Sequence, residues 1–152
     1  MKITQDQLRA WGASADLLAW FLATFPAGEA DYQATLDALA DADMPADANW
    51  LMNHAGADGE AVLKAEVIDG RKHLFFAGCV EVAGAISVRG TLRAGLGIKA
   101  GLGIEAGLGI EAGWGFGVFA GLRVRLGRWA QDAVVRAQGK PANLISGHWS
   151  GK

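Results

Sequence analysis

From Leu74 to Leu126 every even-numbered residue is apolar or glycine, and every charged side chain stands at an odd number. Alternation with period two marks extended backbone that buries one face. A straight strand of this length would run ~175 Å at about 3.3 Å per residue, so the segment must turn back on itself. Hairpin signals such as Asn-Gly, Asp-Gly or Pro are absent between Leu74 and Gly127. A six-residue period stands in their place, as in GIKAGLGIEAGLGIEAGWGF.

Val80, Ile86, Leu92, Ile98, Ile104 and Ile110 share one slot of that period, with Phe116 and Leu122 continuing it. Ala94, Ala100, Ala106 and Ala112 share a second, and Leu96, Leu102, Leu108 and Trp114 a third. A short fixed period predicts a β-solenoid with glycine at its corners, where positive φ is expected. A 12-residue coil stacks Glu81 on Arg93 and Lys99 on Glu111; an 18-residue coil stacks Glu81 on Lys99, Arg93 on Glu111 and Glu105 on Arg123. Both pair opposite signs, so the charges support coiling and leave the coil size open.

Before the alternation the period is helical. Thr4 and Gln7 form a capping box for a first helix. Ser14 opens a second that ends at Phe25-Pro26, a third runs from about Ala30 to Asp43, and Pro45 starts a fourth. Trp11, Trp20, Phe21 and Trp50 are the expected core of these helices. Residues 61–68 and 72–76 read as two strands around a turn at Asp69-Gly70. Residues 128–138 read as a helix covering the last coil, and the remainder as loop. The fold class is therefore α+β. A helical subdomain (1–56) precedes β-strands and a glycine-rich hexad solenoid (57–127), then a capping helix and tail (128–152).

Composition narrows the function. The chain has one cysteine, Cys79, so no internal disulfide forms, in keeping with a cytoplasmic location. No basic segment followed by an apolar run opens the chain, and no apolar stretch is long enough to span a bilayer. GLGIEAG resembles a phosphate loop only formally, because no strand–turn–helix context surrounds it. His54, His73 and His148 lie far apart, and no metal-ligand spacing, serine elbow or paired carboxylates occur. No catalytic, cofactor or metal residue is expected, and neither nucleic acid nor a small-molecule substrate.

Charge is unevenly placed. Residues 1–60 hold two basic and ten acidic residues, net −8, and residues 121–152 hold six basic and one acidic, net +5. The expected contact residues are Asp31, Asp37, Asp41 and Asp43 on the acidic helices. At the basic end they are Arg123, Arg125, Arg128 and Trp129. Oligomeric state is left open, a homodimer included.

Two segments together carry a resemblance. ITQDQLRAWGAS, LLAWFLATFP, DYQATLDALA and ANWLM, followed by GIKAGLGIEAGLGIEAGWG, resemble uncharacterised bacterial and phage-borne proteins with a helical leader and GI[KE]AG hexads. The resemblance spans roughly residues 3–120 and brings no catalytic residue with it. It implies an accessory gene of a mobile element. By analogy with small phage inhibitors of bacterial immunity, it points to a non-catalytic module that binds a host protein or complex, anti-CRISPR proteins being one such class. The alternatives are a structural or assembly solenoid and a hexapeptide-repeat acyltransferase. The latter normally needs a histidine in the coils, where only His73 comes near.

Overall fold

The computed structural model describes residues 1–113 and 115–151; Trp114, Lys152 and the side chain of Leu126 lie outside the described residues. The helical subdomain opens with β1 (Lys2–Thr4), which pairs antiparallel with β2 (Glu29–Asp31). Between and after them run α1 (Gln5–Ala10), α2 (Ala15–Thr24), α3 (Tyr32–Asp41) and α4 (Pro45–Ala55). Local chemistry sets these boundaries. Thr4 and Gln7 form the capping box, the Ser14 and Asp31 side chains accept from Leu17 N and Ala34 N, and Pro45 occupies the first turn of α4.

The subdomain core is Ile3, Leu8, Leu17, Phe21, Tyr32, Leu36, Leu39, Leu51 and Met52. Of the four aromatics expected there, only Phe21 is fully buried. Trp11, Trp20 and Trp50 pack half-exposed at its margin, and Trp11 and Trp50 flank the His54 ring.

The strands then wind into a parallel solenoid of about five coils. The first coil is β3 (Val62–Ala65), β4 (Ile68–Arg71) and β5 (Leu74–Phe76). Three strands form where two were expected, and Asp69-Gly70 makes a bulge inside β4 instead of a turn between strands. The second coil is β6 (Cys79–Val82), β7 (Ile86–Val88) and β8 (Leu92–Ala94). The third is β9 (Ile98–Ala100), β10 (Ile104–Ala106) and β11 (Ile110–Glu111). Val80 lies beside Ile98, Ile86 beside Ile104 and Leu92 beside Ile110. The coil is therefore 18 residues, one hexad per side.

After Ile110 the period breaks. β12 (Val118–Phe119) sets Val118, not Phe116, over Ile98, and Phe116 and Leu122 are exposed. The chain then leaves the coil, through a 3-10 turn (Leu126–Arg128) and the short α5 (Trp129–Asp132). It returns as β13 (Val134–Ala137), β14 (Leu144–Ser146) and β15 (His148–Gly151). The helix expected over 128–138 is thus confined to its first half, and the tail adds strands where loop was expected. Three parallel sheets result, in the orders β3-β6-β9-β12-β14, β4-β7-β10-β13-β15 and β5-β8-β11.

Inside the coils Val80, Leu92, Ile98, Val118 and Val135 are fully buried, with Ala94, Ala100 and Ala106 beneath the corners. The third slot does not enter this core: Leu102 and Leu108 are 41% and 42% exposed. At a corner the chain turns to the next side, so strict alternation fails and an even-numbered residue points outward.

The glycine rule also needs correction. Between Leu74 and Gly127 only Gly115 and Gly121 have positive φ among the described residues. A β-carbon on Gly101 would overlap the carbonyl oxygen of Ala83 in the coil before it, and one on Gly107 that of Arg89. Glycine stands there because two backbones touch.

The helices lie over the third sheet. Phe75 and Ala77, at odd positions and expected to face outward, fill the helical core. Arg93 on β8 donates to the Asn49 carbonyl and to the side chains of Asn49 and Asn53 on α4.

Candidate functional site

A groove of about 690 Å³ lies across the first sheet. Lys64, Glu81 and Lys99 stack there from successive coils. Lys99 Nζ is 4.0 Å from Glu81 Oε1. Glu66 and the exposed Leu122 join them, and Arg123 crosses the wall above Gly101. Short strands set the spacing of Lys64, Glu81 and Lys99, while Ala83 and Gly101 keep part of the floor low. Cys79 stands on the same face. Burial first, and the neighbouring Glu81 second, push its thiol above its ordinary value, away from the reactive thiolate.

A second groove, about 470 Å³, runs between α3 and the first two coils. Asp37 and Asp41 line one wall, and Arg71, Lys72 and Arg89 the other. At its end His73 is buried and Nε2 lies 2.7 Å from Asp43 Oδ1. The ring's Nδ1 accepts the Thr91 N–H at 3.0 Å, so Nε2 carries the proton and donates it to Asp43. That hydrogen bond holds the Asp43 carboxyl below the usual carboxylate range. Asp43 has φ 58°, a left-handed conformation that aspartate tolerates better than most residues. Both ring nitrogens are engaged by groups of the protein itself.

Of the expected contact residues, Asp37, Asp41 and Asp43 come together around the second groove, and the others are dispersed. Asp31 caps α3 and belongs to β2. Asp37 and Asp41 face the cations of the first two coils, and Asp43 holds His73. Arg123 lines the first groove, while Arg125 is exposed in the segment before α5. Arg128 forms a two-point ion pair with Asp132, at 2.7 and 3.2 Å. Trp129 is half-buried against Gly121 and His148. Glu105 meets Arg136 at 3.8 Å and not Arg123, because residues 121–133 leave the coil before the stacking position is reached.

Reasoning from sequence passed over Lys64, Glu81 and Lys99 as contact residues. The 18-residue spacing of Glu81 and Lys99 was a usable signal. Lys64 lies 17 residues before Glu81, which hides it from a strict period. Among the described residues no group of three or more His, Cys, Asp or Glu could hold a metal ion. No helix there is long and apolar enough to cross a membrane.

Residues 1–57 are similar to the YdhT N-terminal domain family, whose model matches them. No curated protein and no solved structure matches the chain. The match ends just before the first coil, so it concerns the helical subdomain and says nothing of the solenoid.

Proposed function

We propose that this protein is a non-catalytic protein-binding module whose contact surface is the groove on the first sheet. The observation that carries this reading is the rigid mixed-charge wall of Lys64, Glu81, Lys99 and Arg123 beside the exposed Leu122. Fixed charges of both signs next to apolar surface suit a protein partner, since they set register and exclude mismatched charge patterns. The resemblance to phage-borne proteins directs the choice of partner to a host complex, and among those to a defence assembly of the CRISPR kind. An acyltransferase reading gains nothing from His73, whose two nitrogens are occupied.

The test is affinity capture from a bacterial lysate with the full chain, beside the double variant Lys99→Glu with Arg123→Glu. A stoichiometric host complex that survives salt and is lost with the variant is expected. Equal capture by both proteins would sink the groove assignment. Expression in cells with active CRISPR immunity is expected to raise phage plating, and unchanged plating would remove the defence complex as partner.

A further inference from the structure

The first coil places three strands at the ends of their sheets, and each edge of a sheet is a template for another chain. β3 carries Lys64, and β4 carries Asp69, Arg71 and a bulge, features that discourage added strands. β5 has neither. Its sequence Leu74-Phe75-Phe76 lies in the run LFFAGCV, which has no charge and no proline. Such a segment is the hazard of the coil.

This is the edge that α3 covers. Leu74 N donates to Thr91 O and Phe76 O accepts from Gly95 N, so these groups face β8. Phe75 O and Ala77 N point the other way, to the open side. There Gln33 Nε2 donates to Phe75 O at 2.8 Å, and Gln33 Oε1 accepts from Ala77 N at 2.9 Å. One side-chain amide thus makes both bonds that the N–H and C=O of one residue in a preceding parallel strand would make. Asp37 accepts the other Gln33 Nε2 proton at 2.9 Å, which fixes which end of the amide meets which partner. Asp58 N takes the next carbonyl, Ala77 O, at 2.9 Å. The Phe75 ring, fully buried, is drawn into the helical core.

We infer that the helical subdomain is an edge guard for the solenoid: Gln33 occupies the place of a missing strand on β5 and blocks strand addition by a second copy of this chain. Asp37 is a positioning residue for that amide. This assignment is independent of the binding groove, which lies on a different sheet.

The test uses the full chain with Gln33→Met, which keeps the helix-forming length and removes both hydrogen bonds. Amide exchange at Ala77 is expected to accelerate, by up to about tenfold for one hydrogen bond of ordinary net strength. Sedimentation is expected to show concentration-dependent association beyond that of the parent chain. Unchanged Ala77 exchange overturns the inference, and so does faster exchange without association at any concentration. Circular dichroism checks that the helices remain. Should Gln33→Met lose them, Gln33→Glu keeps an acceptor for Ala77 N, removes the donor to Phe75 O and Asp37, and sets a second carboxylate beside Asp37. Association beyond the parent's is expected for this variant as well, and an oligomeric state equal to the parent's overturns the guard.

Discussion

The helical subdomain and the solenoid bury apolar side chains by different geometries. In the helices large residues such as Phe21, Tyr32 and Leu36 meet across elements, and three of the four helix starts have a side-chain cap. In the coils small slots repeat, and each residue answers to the residues directly above and below it. Gly101 shows the difference, since its missing side chain is demanded by the carbonyl of Ala83. A helix tolerates change according to the face on which it falls. A coil tolerates change according to what stands one turn away.

The largest effect that tests this contrast is Ile104→Asp. Ile104 is 1% exposed between Ile86 and Val135, so the change buries an unpaired carboxylate. A loss on the order of 5 kcal/mol is expected, enough to melt the coils in a urea titration. A fully folded variant would contradict the stacked core.

A glycine pair sharpens the comparison. Gly107→Ala forces a methyl into the carbonyl of Arg89, whereas a methyl on Gly109 meets nothing within 4 Å. The first is expected to cost about 3 kcal/mol, the second to change stability by less than about 1 kcal/mol. Equal melting temperatures for the two would mean that corner conformation, and not close stacking, selects glycine.

In the helical subdomain the corresponding probe is Tyr32, the only tyrosine of the chain. Its hydroxyl donates to Gly56 O at 2.7 Å, and burial pushes its pKa up to about 12, partly offset by Arg93. A raised folded-state pKa favours the neutral phenol. The associated stability is complete below the unfolded value near 10 and is lost as pH rises toward about 12, at most about 3 kcal/mol in all and less where solvent screens the group. Absorbance at about 295 nm, which follows phenolate formation, reports this group alone. A midpoint near 10 in the folded protein would show that the ring is open to water.

The smallest effect is expected from Glu105→Gln. Its 3.8 Å pair with Arg136 is exposed on both sides, and the change is expected to stay within about 0.5 kcal/mol. A larger loss would give the charge ladder a share in stability that register alone does not require.

Much of this architecture was legible beforehand. Thr4, Ser14 and Pro45 marked helix starts because caps act over three or four residues. Ile98, Ile104 and Ile110 disclosed the coil because one hexad spans one side. The site was less legible. Lys64, Glu81 and Lys99 meet only once the coil size is known, and Arg123 leaves its expected partner when the chain departs from the coil. The acidic helix face gave no sign that Arg71, Lys72 and Arg89 would stand opposite it.

Alternation and the six-residue period, both local properties of the chain, determined that it is a β-solenoid behind a set of helices. Coil size was decided by tertiary structure, because opposite charges stack equally well at 12 and at 18 residues. So was the need for glycine at Gly101 and Gly107, since the atoms that exclude a side chain belong to another coil. The union of the two parts rests on Gln33 meeting Phe75 and Ala77, which lie more than 40 positions further along the chain and meet it only because β5 needs a neighbour.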